Sequence, residues 1–203
     1  MSDLIPQAKQ RLEGNTMTEA SLAPLRILIV EDSEQMRTLL EALLEAMSIT
    51  DILIAEDGEK GLALYMETAP DIVITDGAMA PMDGYELTNH IRTAPDNPNP
   101  YVPIIMLSGH LEKEHVEKAR ASGVTEYLAK PVSWQTLYER LVSIVSNPSF
   151  FIRTPTYLGP DRRRETDELY QGPLEKHNAP QPKTTAEILP LDAIRRPSLI
   201  RTK

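Results

Sequence analysis

The chain has 203 residues, 25% of them charged and 41% hydrophobic, enough to bury one ordinary core and too few for two large ones. It contains no cysteine, which excludes a disulfide framework and thiol chemistry and fits a reducing, cytoplasmic setting. No apolar stretch is long enough to span a membrane, and Met1 to Gln10 has neither the basic nor the apolar segment of a secretory leader. Charge is divided unevenly. Residues 1–146 hold 11 Lys/Arg against 23 Asp/Glu, a balance of −12, and residues 147–203 hold 10 against 7, a balance of +3. An acidic body repels nucleic acid, so DNA contact is not expected unless the tail makes it.

Residues 1–24 are polar with scattered Gly and Pro and are expected to form a flexible N-terminal extension, within which Met17-Thr18-Glu19-Ala20 is a second candidate start. From Leu25 onward short apolar runs alternate with helix-period segments, the pattern of βα units around a parallel sheet. Ile27 to Val30 is the first strand. The helix after it carries Met36, Leu39, Leu40, Leu43, Leu44 and Met47 at i, i+3, i+4, i+7, i+8 and i+11, a single stripe facing a sheet. Ile52 to Ala55 is the second strand. Leu62, Ala63 and Met66 give the next helix its apolar face, opened by Gly58 and closed by Pro70. The third strand, Asp71-Ile72-Val73-Ile74-Thr75-Asp76, is an apolar run that ends in an aspartate. A helix from Tyr85 to Arg92 and a Pro/Asn loop lead to the fourth strand, Ile104 to Leu107. The charged helix Leu111 to Ala121 stops at Ser122-Gly123, where a glycine commonly ends a helix. Val124 to Leu128 alternates as an edge strand does. The last helix presents Trp134, Leu137, Leu141, Ile144 and Val145, and both Trp134 and Met36 are expected in the core.

After Asn147 the periodicity dissolves, and 8 of the 17 prolines lie in the last 57 residues. The stretch 147–203 is expected to be an extended tail with no fold of its own. It holds an internal echo, Tyr157-Leu158-Gly159-Pro160-Asp161-Arg162-Arg163 against Tyr170-Gln171-Gly172-Pro173-Leu174-Glu175-Lys176.

The strand ends carry the chemistry, because ligands of parallel α/β sheets bind where the carboxyl ends of the strands open into loops. Glu31 and Asp32, Asp76, Ser108 with Gly109, and Lys130 before Pro131 converge there. Three acids at one edge repel one another, and a hard divalent cation removes that repulsion. Mg²⁺ takes a few carboxylate oxygens, keeps several waters and leaves the remaining positions to a phosphate, so the cluster suits phosphoryl chemistry. A carboxylate nucleophile, an ammonium and a hydroxyl around one transferring group are what such chemistry needs, and Asp76, Lys130 and Ser108 supply them.

Taken together, Glu31-Asp32, Asp76 with Met79, Asp83 and Gly84, then Ser108-Gly109, Tyr127 and Lys130-Pro131 resemble the receiver domain of two-component response regulators. The resemblance covers about residues 25–146. It implies a doubly wound, flavodoxin-like α/β fold with strand order 2-1-3-4-5. It implies that Asp76 accepts phosphate from a histidine kinase or histidine phosphotransfer protein. It implies Mg²⁺ held by Asp32, Asp76 and the backbone carbonyl of Ala78, with Glu31 acting through water. It also implies that Lys130 pairs with the phosphoryl group across a cis bond to Pro131, and that Ser108 and Tyr127 form a switch which moves once phosphate is present. A downstream protein target would read that change, with no enzymatic activity beyond self-phosphorylation and self-dephosphorylation. The family's usual proline stands four residues after the phosphorylated aspartate, whereas here Ala80 holds that place and Pro81 follows. Ala78 has no side chain to hold an attacking water, so a long-lived phosphoryl group is expected.

Simpler explanations exist for each residue alone. Glu31-Asp32 before Ser33 could decorate a helix N-terminus, and Asp83-Gly84 is ordinary turn chemistry. His110 and His115 are taken as solvated helix-face residues and not as metal ligands, for want of a partner at i, i+4. Arg162-Arg163-Arg164 stands beside Glu165, Asp167 and Glu168, without aromatic interleaving, which favours a solvated motif over a nucleic-acid contact. The sharper alternative is that these arginines dock on the protein's own acidic body or on a partner. The other functions kept open are a phosphorelay shuttle or phosphate sink, a DNA-binding regulator acting through the tail, and a phosphatase acting on metabolites.

Overall fold

A computed structural model describes residues 22–147, 149–154, 156–162 and 187–189. Five parallel strands form the central sheet: β1 (Arg26–Val30), β2 (Asp51–Ala55), β3 (Ile72–Asp76), β4 (Ile104–Ser108) and β5 (Glu126–Ala129), in the order β2-β1-β3-β4-β5. The helices α1 (Glu34–Glu45), α2 (Gly58–Thr68), α3 (Gly84–Thr93), α4 (Lys113–Ser122) and α5 (Trp134–Ser146) alternate with them. This is the doubly wound fold expected from the sequence.

Burial follows position in the sheet. Every residue of the inner strands β3 and β4 is buried, whereas the edge strands β2 and β5 are only partly covered. Alternate side chains divide the core into two layers, as the period of a strand requires. Ile27, Ile29, Ile72 and Ile74 pack against Leu40 and Leu44 of α1 and Leu137 and Leu141 of α5. Leu28, Val30, Val73 and Ile104 pack on the other side against Tyr65 of α2 and Leu87 and Ile91 of α3.

Helix starts follow local chemistry. Ser33, Asp57, Asp83 and Ser133 each accept a backbone N–H with their own side chain, and Asp83 forms a full capping box with Glu86. Two expectations are corrected. Trp134 is 41% exposed and stacks on Tyr138, because the core-facing stripe of α5 runs through Leu137, Leu141 and Ile144. Leu22, inside the stretch expected to be flexible, is fully buried in the layer with α1 and α5.

The first part of the tail is built into the molecule. Strands β6 (Phe151–Thr154) and β7 (Tyr157–Pro160) pair as an antiparallel hairpin, and β8 (Glu187–Leu189) pairs with the other edge of β6. The hairpin lies against the ends of α3 and α4 and the starts of β4 and β5, the pole opposite the strands' carboxyl ends. Arg92 of α3, 4% exposed, donates from Nε and Nη2 to the Gly123 carbonyl and from Nη1 to the Pro100 carbonyl. Phe151 covers it, with the guanidinium 5.2 Å from the ring centroid, and Tyr101 meets the same ring edge-on. Burial pulls the pKa of Arg92 down to about 10, so it stays charged at neutral pH. Arg162 donates to the carbonyls of Val124 and Thr125 at 2.7 and 3.2 Å. One arginine of the basic run thus reaches the chain's own body through backbone carbonyls. Arg163, Arg164 and the second half of the internal echo lie outside the described residues.

Gly123 joins the hairpin to α4. Its φ of +92° ends the helix in the left-handed region, and a Cβ there would lie 2.5 Å from the Leu158 carbonyl oxygen. Gly123→Ala is therefore expected to lower unfolding free energy by about 1–3 kcal/mol in urea titration. It should also make residues 151–162 more sensitive to limited proteolysis.

Candidate functional site

The register of the sheet builds the site. Val30 pairs with Thr75, Asp76 with Leu107 and Ser108 with Ala129, so Glu31, Asp76, Ser108 and Lys130 stand in one row where β1, β3, β4 and β5 end. Asp32 lies on the exposed loop before α1. Arg37 shapes that loop by donating from Nη1 to the carbonyls of Glu31 and Asp32 at 2.8 and 2.9 Å. This role went unread in the sequence, where Arg37 was one charged residue between apolar stripe positions.

Lys130 is the centre of the charge arrangement. Its Nζ is 2.8 Å from Glu31 Oε2 and 3.0 Å from Asp76 Oδ1. Glu31 is 1% exposed and Asp76 8%. Burial raises the pKa of Glu31 and the Asp76 charge adds to the effect, against the lowering influence of Lys130. Burial alone would pull the Lys130 ammonium down. Its hydrogen bonds to both carboxylates and their charges outweigh burial, and its pKa is raised.

One carboxylate oxygen from each of Glu31, Asp32 and Asp76 lies within 4.8 Å of the other two. Three acids face one ammonium, a donor set of hard oxygens with surplus negative charge, which fits a divalent cation of the Mg²⁺ kind. Ala78, on the loop after β3, is exposed. The loop returns tightly to the sheet: the Gly84 N–H donates to the Gly77 carbonyl, and a Cβ on Gly84 would come within 2.0 Å of the Asp76 carbonyl oxygen. Both Lys130–Pro131 and Ala80–Pro81 are cis.

Ser108, 4% exposed, accepts the His110 N–H on its Oγ at 3.0 Å. Tyr127 is half-buried, and its hydroxyl donates to the His110 carbonyl at 2.5 Å. Ser108 and Tyr127 are thus joined through the backbone of His110. Beside them lies a contact that spacing concealed. His110, Glu112 and His115 come together because the chain turns from loop into helix between them, where an i, i+4 rule for a continuous helix does not apply.

A five-stranded parallel sheet in this order thus carries paired acids, a strand-end aspartate and an opposing lysine at its carboxyl edge. The family model described as the response regulator receiver domain matches residues 27–142, more than half of the chain, and the chain belongs to that family. It is 28% identical to the response regulator protein VraR of Staphylococcus saprophyticus, over 73% of this chain and 69% of that one. It is 32% identical to the chemotaxis protein CheY-3 of Vibrio cholerae, over 59% of this chain and 91% of that one. Among solved structures, chemotaxis protein CheY4 of Vibrio cholerae is similar with a TM-score of 0.53 and 28% identity, covering 58% of this chain and 95% of that one. The receiver domain of a signal transduction histidine kinase from Syntrophus aciditrophicus is similar with a TM-score of 0.53 and 28% identity, covering 61% and 93%. The residues before 27 and after 142 lie outside the family match.

Removing the ammonium leaves two buried carboxylates without their cation. Lys130→Met is expected to lower the unfolding free energy of the metal-free protein by about 3 kcal/mol, read from urea unfolding in the presence of a chelator.

Proposed function

We propose that this protein is a response regulator whose Asp76 accepts a phosphoryl group from a histidine kinase or a histidine phosphotransfer protein, and which signals by phosphorylation-dependent contact with a downstream protein. The observation that carries this reading is the position of Asp76, buried at the end of an inner strand, with Lys130 Nζ 3.0 Å from its Oδ1 and Glu31 and Asp32 beside it.

In the proposed reaction an oxygen of Asp76 attacks phosphorus in line with the donor nitrogen. The phosphorus–nitrogen bond breaks, the imidazole takes its electrons and a proton, and an acyl phosphate remains. Lys130 stands where an ammonium can follow the negative charge from the carboxylate to the phosphoryl oxygens. Asp32, Asp76 and Glu31, with the Ala78 carbonyl, are the proposed Mg²⁺ holders, and the ion supplies charge neutralisation for the incoming phosphate. Ser108 must exchange its hydrogen bond from the His110 N–H for one to a phosphoryl oxygen. That exchange pulls on the segment whose carbonyl holds Tyr127, which connects the site to the face formed by α4, β5 and α5. The shift cannot exceed the difference in phosphate stabilisation between the two arrangements. With no side chain at Ala78 to position water, the acyl phosphate is proposed to be long-lived.

Incubation with a small phosphodonor and Mg²⁺ is expected to retard the native chain in a phosphate-affinity gel and to leave Asp76→Asn unshifted. A native chain that is never retarded contradicts the proposal. Mg²⁺ at a hundred times its dissociation constant should raise unfolding free energy by about 2.7 kcal/mol. That gain should be largely absent in Asp32→Asn, as read from thermal unfolding with and without the ion.

A further inference from the structure

We propose that His110, Glu112 and His115 form a second metal site, taking a borderline divalent transition ion such as Zn²⁺, on the shoulder between β4 and α4. One ligand atom from each of the three residues lies within 4.8 Å of the other two. The two imidazole rings are already gathered, with centroids 4.8 Å apart and planes inclined by 19°. Glu112 Oε2 is 3.6 Å from His110 Nδ1. Metal bonds of about 2 Å require these atoms to close in slightly. The side chains of His110 and Glu112 are 58% and 67% exposed, so both can rotate without disturbing the core.

Three further observations separate this group from a chance surface cluster. Glu112 is the N-cap residue of α4, yet its side chain makes no capping hydrogen bond, so the carboxylate is not committed to the helix. The backbone of His110 is fixed at both polar atoms, the N–H by Ser108 Oγ and the carbonyl by the Tyr127 hydroxyl, so the loop ligand starts from an ordered position. His115 Nδ1 is 3.5 Å from the Tyr85 hydroxyl. With the proton on Nδ1 and aimed at that oxygen, the Nε2 lone pair is left for an ion, and metal-bound histidines usually have such an outer partner. Two imidazoles and one carboxylate with an open, solvent-facing side suit a three-ligand Zn²⁺ site. The same set is too rich in nitrogen for Mg²⁺, which the oxygen cluster at Asp76 suits instead. An ion at this place ties the loop carrying His110 to the first turn of α4.

The test is a Zn²⁺ titration of the full chain by competition with a chromophoric chelator, with Mg²⁺ present in excess to fill the oxygen cluster. The native chain and Asp76→Asn are expected to bind Zn²⁺ alike. His110→Ala, at an exposed position, and His115→Ala, at a half-buried one, should each bind at least about tenfold more weakly. Equal titrations for the native chain and both histidine variants, including no binding by any of them, overturn the proposal. So does binding that disappears in Asp76→Asn and survives in the histidine variants, since the ion would then sit in the oxygen cluster.

Discussion

The ion cluster that Lys130 makes with Glu31 and Asp76 organises the functional end of the molecule. Three strands deliver it: β1 brings Glu31, β3 brings Asp76 and the end of β5 brings Lys130, with 2.8 and 3.0 Å separating the charged atoms. Two nearly buried carboxylates are unfavourable without a cation, and one ammonium only partly offsets them. The surplus negative charge of three acids facing one ammonium suits a divalent ion, and in the proposed function the same ammonium meets the incoming phosphate. Stability in the metal-free state and the proposed phosphoryl chemistry thus rest on one set of contacts.

Around that cluster the fold divides its labour between two poles. The carboxyl ends of the strands hold charge, exposed loops and the Ser108–His110–Tyr127 hydrogen-bond chain. At the opposite pole the β6–β7 hairpin closes over Arg92, and Arg162 satisfies the carbonyls of Val124 and Thr125. Both poles touch α4: the loop before it carries His110, and Gly123 at its end meets the hairpin. The least apolar of the described helices is thereby held at each end by hydrogen bonds and close backbone approach, with little burial along its length.

Much of this was legible in the sequence for a physical reason. Buried parallel strands must be short apolar runs, and helices that cover them must carry a stripe, so β1 to β5 and their helices could be placed within a residue or two of their observed ends. Glu31, Asp76, Ser108 and Lys130 were legible as a group because each stands at or just beyond a strand's carboxyl end. Partners set by tertiary contact were not legible. Trp134 continues the apolar spacing of α5, yet it falls at the edge of the packed stripe and stacks on Tyr138. Phe151 and Leu158 lie in two short strands without sustained alternation, and what buries them is a surface made of Arg92, Tyr101 and Gly123, far away in sequence. His110 and His115 meet across a loop-to-helix turn, where no single period relates them.

The claim that bears the most weight is that the carboxylate of Asp76, among all the acids at this edge, is the group that becomes phosphorylated. Borohydride reduces an acyl phosphate to an alcohol, so trapping the phosphorylated chain and sequencing its peptides by mass spectrometry reports the modified position directly. The account predicts homoserine at position 76 and intact aspartate at position 32. Reduction at position 32, or modification of His110 or Ser108 with position 76 untouched, would contradict it.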